Sequence, residues 1–199
     1  MFIRWQRLAS RRAAAAVSLM ALLPGSAVAV TQFQKSIFTA FSLADCETLK
    51  SHPDGNSYLC PGLPGFPVYL AEGDGRTFVS SGPAPVETKA ATQTLKSFNT
   101  PFAKPSQRAT IEWRFVIRNQ RKVPYAMIMR FFTNSNAAHG EVLVVTRLHR
   151  REACHVAAID ALANTDAIVL ARRVADERAR AFDCDSPSTT EGATGKSPM

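Results

Sequence analysis

Beyond residue 23 the sequence lacks any run of 18 consecutive apolar residues, so no later segment is expected to cross a membrane as a helix. It has only four cysteines in 199 residues, too few for a disulfide-dense miniprotein, and no Cys-x-x-Cys motif of a redox enzyme. The Gly-x-Ser-x-Gly motif of many hydrolases and a phosphate-binding glycine loop are also missing. With 46% hydrophobic and 20% charged residues, the chain is expected to fold as a globular domain.

The first 29 residues have the three parts of a secretory signal peptide. A basic start with four arginines precedes an apolar run of 11 residues at Ala13–Leu23, and Ala27 and Ala29 form a cleavage site. Spanning a bilayer takes about 20 residues, so this run is too short to be an anchor. We therefore expect cleavage near Ala29 and a periplasmic or secreted protein. The pair Arg11-Arg12 leaves twin-arginine export as an alternative to the secretory route.

In an oxidising compartment cysteine thiols tend to pair. Four cysteines allow three pairings. We predict Cys46–Cys60 and Cys154–Cys184, because each bond closes a local unit of the chain. A structural role is favoured over redox catalysis.

Alternating apolar and polar residues predict strands joined by short polar turns, which favours antiparallel neighbours. The predicted strands are Phe66–Ala71, Arg76–Ser80, Thr110–Arg118, Val123–Phe132, Glu141–Leu148 and Cys154–Ile159. A short helix is expected around Thr92–Phe98. A longer C-terminal helix from Ala167 is expected to place five charged residues on its outer side: Arg172, Arg173, Asp176, Glu177 and Arg180.

Together these elements predict a single α+β domain at residues 30–185. It consists of an antiparallel meander sheet with a C-terminal helix packed on one face and two disulfides. Residues 186–199 are rich in Ser, Thr, Gly and Pro and are predicted to be a disordered tail.

Several segments are distinctive: Cys60-Pro61-Gly62, Asp74-x-Arg76, Ile111-Glu112-Trp113-Arg114 and Cys154-His155-Val156-Ala157. Roughly residues 40–185, which contain these segments, resemble a group of uncharacterised exported proteins of proteobacteria. The resemblance implies export and a compact disulfide-bonded fold. The group has no assigned activity, so no catalytic residue is carried over.

The residues that could perform chemistry are few. His149 and His155 would share a strand face, but Glu152 and Cys154 would point to the other face, so a metal site is not expected. Met127 and Met129 could hold Cu(I), although core packing explains them more simply. We expect no cofactor and no catalytic residue. The alternative is a periplasmic hydrolase or redox enzyme whose site would gather at least two of four side chains: Asp74, Glu112, His149 and His155.

Charge is distributed unevenly along the chain. The formal net charge is +8 for the whole sequence, and half of it belongs to the predicted leader. Residues 96–151 carry a net charge of +9, whereas residues 30–95 and 152–185 are both net negative. The candidate binding residues on this basic sheet region are Arg114, Arg118, Arg121, Lys122, Arg130, Arg147, Arg150 and Arg151.

Two interpretations of this basic segment remain open. It can form a surface that attracts an anionic envelope component or an acidic protein, including a secreted enzyme that it inhibits. Alternatively, acidic groups such as Asp176 and Glu177 neutralise it within the fold. The simplest role for Glu112 and Arg114 is a cross-strand ion pair beside a core Trp113. Nucleic acid is not expected as a partner of an exported protein. We expect a non-enzymatic interaction module, with a structural envelope component as a further alternative.

Overall fold

The structure is a computed structural model that describes residues 35–199 apart from Ala137 and Arg151. The predicted signal peptide at residues 1–29 lies outside the described residues. The strands are β1 (Lys35–Phe41), β2 (Glu47–Lys50), β3 (Ser57–Leu63), β4 (Phe66–Gly73), β5 (Arg76–Ser81), β6 (Phe98–Thr100), β7 (Ala109–Arg118), β8 (Arg121–Asn134), β9 (His139–His149), β10 (Glu152–Asp160) and β11 (Thr189–Thr190). One α-helix, α1 (Ala167–Val174), continues into a π-helical turn at Ala175–Ala179.

The strands form two sheets rather than the single meander that the sequence predicts. The larger sheet has the order β1-β7-β8-β9-β10-β11, with β6 pairing to β8, and the smaller has the order β2-β3-β4-β5. Strands β7 to β10 form the expected antiparallel meander. The larger sheet is mixed because β11 runs parallel to β10. Strand β1, which the sequence analysis missed, covers the other side of β7.

The larger sheet is the middle of three layers. On one face, apolar side chains such as Ile111, Trp113 and Met127 pack against Val68 and Leu70 of the smaller sheet. On the other face, a second apolar cluster joins the sheet to α1 and the π-helical turn. Alternation along β7 produces this division, because odd-numbered and even-numbered side chains point to opposite faces.

A β-bulge in β8 changes which side chains face the helix. Arg114 pairs with Ala126 and Phe115 pairs with Pro124, so Tyr125 is the extra residue. Tyr125 and Ala126 consequently both pack on the helix side. A proline in a central strand has no N–H for the ladder and is normally found at bulges. The bulge therefore places the hydroxyl of Tyr125 toward the π-helical turn.

Both predicted disulfides are confirmed. Cys46–Cys60 joins the start of the smaller sheet to β3, and Cys154–Cys184 joins β10 to the segment after the helix. The Asp74-Gly75 turn between β4 and β5 is also present, with positive φ at both residues. Gly75 is required there, because a Cβ would lie 2.7 Å from the ring of Phe98. Among the described residues, no helix is long and apolar enough to cross a membrane.

The segment between β5 and β7 also differs from the sequence prediction. The helix expected around Thr92–Phe98 is replaced by short 3-10 helices at Pro85–Glu87 and Lys89–Thr92, followed by β6. This segment packs at the edge of the sheets, where the backbone of Asn99 bonds to Gly75. Pairing with neighbouring strands outweighs the weak local preference for a helix.

The C-terminal segment is ordered, whereas its composition predicts a disordered tail at residues 186–199. Strand β11 pairs with β10, and the carboxylate of Asp160 accepts hydrogen bonds from the backbone of Lys196 and Ser197. The Ser197 hydroxyl also donates to Asp160 at 2.6 Å. Burial raises the pKa of Asp160, but these donors more than offset it and leave that pKa below its ordinary value. Polar contacts to a buried carboxylate thus hold a segment that has little apolar surface.

Candidate anion-binding cleft

Two hairpin tips lie at the same end of the larger sheet. The β7–β8 turn has positive φ at Asn119 and Gln120, and Arg118 pairs directly with Arg121 across it. The β9–β10 turn contains Arg150, also at positive φ. Because β8 and β9 are antiparallel neighbours, the turns that precede β8 and follow β9 meet at the same end of the sheet. Four basic side chains of the sequence prediction are gathered there: Arg118, Arg121, Lys122 and Arg150.

Two cavities open at this end. The first, of about 380 Å³, has apolar walls that include Val116, Pro124 and Leu148, and its basic residues are Arg118, His149, Arg150 and Arg180. The second, of about 570 Å³, lies beside the β3–β4 turn and is lined by Ile37, Leu63, Pro64, Phe66, Gln120, Arg121, Lys122 and Pro124. Both cavities share Phe66 and Pro124. We refer to the two together as the end cleft.

The charge of the end cleft has one sign. Among the described residues, none of the side chains that line either cavity is Asp or Glu. Arg118, Arg121, Lys122 and Arg150 are exposed. The Lys122 ammonium lies 5.7 Å from the centre of the Phe115 ring. Glu152 follows Arg150 by two positions, and its carboxylate pairs with Arg147 and His149. The cleft therefore combines an apolar interior with a cationic rim.

Arg114 was predicted to belong to the basic binding face, and the structure corrects this. Its side chain is 8% exposed, and its guanidinium makes two hydrogen bonds to Asp176, of 2.9 and 2.7 Å. Burial lowers the pKa of Arg114, while the hydrogen bonds and charge of Asp176 outweigh burial and raise it. The carboxylate comes from the π-helical turn, 62 positions further along the chain. Arg114 is thus a neutralised internal group.

Glu112 completes this buried network on the helix side of β7. It accepts hydrogen bonds from Ser36 at 2.5 Å and from Arg172 at 2.8 and 3.1 Å, and its carboxylate lies 3.5 Å from Arg114. The simple cross-strand pair expected for Glu112 and Arg114 is therefore only part of the arrangement. Arg172 and Asp176, expected on the outer side of the helix, instead point toward the sheet.

Tyr125 links the buried network to the end cleft. Its hydroxyl donates to Asp176 at 2.6 Å, and its ring also lines the first cavity. Burial and the hydrogen bond to Asp176 both raise the pKa of Tyr125 well above its ordinary value, so the hydroxyl stays protonated and acts as a donor. Arg180 lies over the ring, with its guanidinium carbon 5.1 Å from the ring centre.

Arg130 and Arg147 also differ from the predicted binding role. Arg130 forms an ion pair with Glu141 on the neighbouring strand. The side chain of Arg147 is 12% exposed, and it donates to the carbonyl of Phe182 and pairs with Glu152. Both residues are engaged within the fold because β9 and the C-terminal segment bring acceptors to them. Arg151 lies outside the described residues.

The four residues of the enzymatic alternative are dispersed. His149 lines the first cavity, whereas Asp74 lies in the β4–β5 turn and Glu112 is buried beside Arg172. His155 is buried on β10, and burial lowers its pKa to about 4 despite a hydrogen bond with the backbone of Val79. Within the part of the chain that the structure describes, no group of three or more His, Cys, Asp and Glu side chains could hold a metal ion.

Sequence reasoning missed Tyr125 and Arg180 as cleft residues. The signal for Tyr125 was Pro124, since proline inside a central strand indicates a bulge. Arg180 had no comparable signal, because the helix pattern placed it only on a charged side. The apolar residues of the interior were likewise predicted as strand residues and not as a cavity wall.

Comparison with known proteins returned no match: no family model, no curated protein and no solved structure is similar to the chain. The resemblance to exported proteins of proteobacteria therefore rests on the sequence segments quoted above.

Proposed function

We propose that this protein is an exported, non-enzymatic binding protein that engages an anionic partner of the cell envelope through the end cleft. The observation that carries the proposal is the gathering of Arg118, Arg121, Lys122 and Arg150 around two cavities whose described lining residues include no Asp or Glu. A group of exposed positive charges attracts anions and raises the local concentration of anions. The other predicted basic residues Arg114, Arg130 and Arg147 form ion pairs with acids of the same fold and line neither cavity.

Export is the second element of the proposal. The leader with its basic start, apolar run and small residues before Val30 supports cleavage near Ala29 and a periplasmic or secreted protein. The two disulfides are compatible with an oxidising compartment. Mass spectrometry of the protein recovered from the periplasm should give a chain that starts at Val30. An uncleaved chain in the cytoplasm would contradict this element.

Ion-exchange retention tests the binding element. Purified protein is applied to dextran sulfate resin, and the salt concentration at elution is compared between two triple variants with equal net charge. In the first variant Arg118, Arg121 and Arg150 are each replaced by Gln. In the matched control Arg108, Arg130 and Arg173, which line neither cavity, are each replaced by Gln.

We expect the cleft variant to elute at clearly lower salt than the wild type, and the control variant to elute close to the wild type. Salt screens exposed charges, so the wild-type interaction should weaken steadily between 0.05 and 0.5 M salt, as expected for a Debye length of about 10 Å at 0.1 M. Equal shifts for both variants would mean that total charge, and not the end cleft, determines retention. That result would overturn the proposal.

A further inference from the structure

The interior of the end cleft restricts the chemistry of its ligand. Phe66, Pro83 and Val123 line the first cavity with apolar surface that remains accessible to solvent, and their side chains cannot hydrogen-bond. Burying apolar surface from water is favourable, so an apolar ligand segment gains free energy there. A ligand that is charged along its whole length would leave these walls in water.

The rim restricts the other end of the ligand. Arg118 and Arg150 are exposed at the two hairpin tips, and His149 and Arg180 line the same cavity. The two exposed guanidinium groups of Arg118 and Arg150 carry a charge of +2, and a single carboxylate balances only half of it. A phosphate monoester carries about −1.5 to −2 charges at neutral pH and three strong acceptor oxygens, and arginine forks bind it with two parallel hydrogen bonds.

The size of the end cleft fits a ligand with one hydrocarbon chain. The cavities of about 380 and 570 Å³ lie within the range of roughly 300 to 1,000 Å³ that is usual for small-molecule sites. Both cavities share Phe66 and Pro124, so the two lie directly next to each other. A peptide is a poorer fit, since its N–H groups need acceptors and Gln120 is the one side-chain amide among the described lining residues.

We propose that the end cleft binds a single-chain lipid phosphate, with the phosphate at Arg118 and Arg150 and the acyl chain against Phe66, Pro83 and Val123. This inference rests on the proposed function, because it names the ligand class of the same cleft. It adds the requirement that the anion carry one hydrocarbon chain.

Isothermal titration calorimetry tests the inference with soluble probes below their micelle concentrations. The probes are hexyl, octyl and decyl phosphate, with inorganic phosphate, decanoate and the neutral decyl maltoside as comparisons. Affinity should rise on the order of tenfold for each two methylenes added, since each buried CH₂ contributes about 0.8 kcal/mol. Decyl phosphate should bind more tightly than decanoate, and decyl maltoside should bind weakest of the three.

Three single variants separate the head-group site from the chain site. Arg118→Gln should weaken all alkyl phosphates by about the same factor, on the order of tenfold. Val123→Ser, at an exposed wall position of the first cavity, should weaken the alkyl phosphates and leave the binding of inorganic phosphate unchanged. Arg130→Gln removes the same charge outside the cleft and should change neither affinity.

The outcomes distinguish this inference from the proposed function. If alkyl phosphates bind with no dependence on chain length, the lipid assignment is overturned while the anion-binding proposal stands. Tighter binding of decanoate would overturn the phosphate head group, and equal binding of decyl maltoside would overturn the need for charge. If no probe binds and the resin experiment also shows no cleft effect, both proposals fail.

Discussion

Arg114 and Arg118 lie four residues apart on β7, and their surroundings differ completely. Arg114 is buried between the sheet and the π-helical turn, where Asp176 and Glu112 neutralise it. Arg118 is exposed at the hairpin tip and faces Arg121, a residue of the same charge. The difference shows that one basic segment can contain both a buried, neutralised charge and an exposed one. Which role an arginine has depends on the elements that pack against it.

The largest expected effect comes from replacing the buried arginine. Arg114→Met should lower the free energy of unfolding by about 3 to 5 kcal/mol, because it leaves the carboxylate of Asp176 without its cation in a buried site. Arg118→Met, the matched variant on the same strand, should change stability by no more than about 1 kcal/mol, since it removes only the exposed like-charge pair with Arg121. Urea unfolding measures both values.

The double variant Arg114→Met, Asp176→Asn provides a check on that cause. Asparagine removes the unpaired charge and keeps an acceptor for Tyr125, so part of the lost stability should return. If the single and double variants are equally unstable, the loss comes from packing and not from the unpaired carboxylate.

Burial also changes the titration of a histidine. His155 is 6% exposed, and burial lowers its pKa to about 4 from 6.5. The unfolded chain then binds a proton between these values while the folded protein does not, so stability falls as the pH falls. The loss from pH 6.5 to pH 4 should be about 3 kcal/mol.

Urea unfolding across this pH range measures the effect, with His155→Gln as the comparison. The variant should lose the slope between pH 6.5 and 4. Carboxylates whose pKa lies below the ordinary value, such as Asp160, lose their contribution only at lower pH. An unchanged slope in the variant would assign the pH dependence to other groups.

A smaller effect is expected at Tyr125, which links the buried network to the end cleft. Tyr125→Phe removes one hydrogen bond to the carboxylate of Asp176, which keeps both bonds from Arg114. We expect a loss of about 1.5 to 3 kcal/mol in thermal unfolding, typical of a hydrogen bond to a charged group. Tyr58→Phe is the control, since its hydroxyl lies 3.4 Å from Glu72 at a partly exposed site, and it should have little effect.

The smallest effect concerns the exposed pair. Arg118 and Arg121 are direct cross-strand neighbours of like charge, which destabilises a hairpin. Arg121→Gln should therefore raise stability by about 0.2 to 1 kcal/mol at low salt while weakening retention on anionic resin. The gain should disappear at 1 M salt, because salt screens exposed charges. A gain that persists at high salt would point to the turn conformation instead.

Local sequence patterns predicted much of the fold. Alternation along β7 placed Ile111 and Trp113 on one face and Glu112 and Arg114 on the other, and the meander from β7 to β10 followed from short polar turns. The spacing of the cysteines led to both disulfides. These features depend on neighbours in sequence, so periodicity and loop length can indicate them.

Long-range pairing explains what the sequence analysis missed. Strand β1 pairs with β7 across more than 60 intervening residues, and β11 pairs with β10 through backbone groups that any residue type offers. The ordered C-terminal segment depends on Asp160, whose five donors include Lys196 and Ser197. Composition alone cannot indicate such contacts, because it measures apolar content and not the partners of a buried carboxylate.

The amino-acid sequence by itself determined the alternation of the strands, the local disulfides and the concentration of positive charge in residues 96–151. Only the tertiary structure decided how that charge is used. It buried Arg114 against Asp176, paired Arg130 with Glu141, and left Arg118, Arg121, Lys122 and Arg150 exposed around one cleft. The physical reason is that neutralisation depends on distance in space, and carboxylates remote in sequence reach some of these arginines and not others.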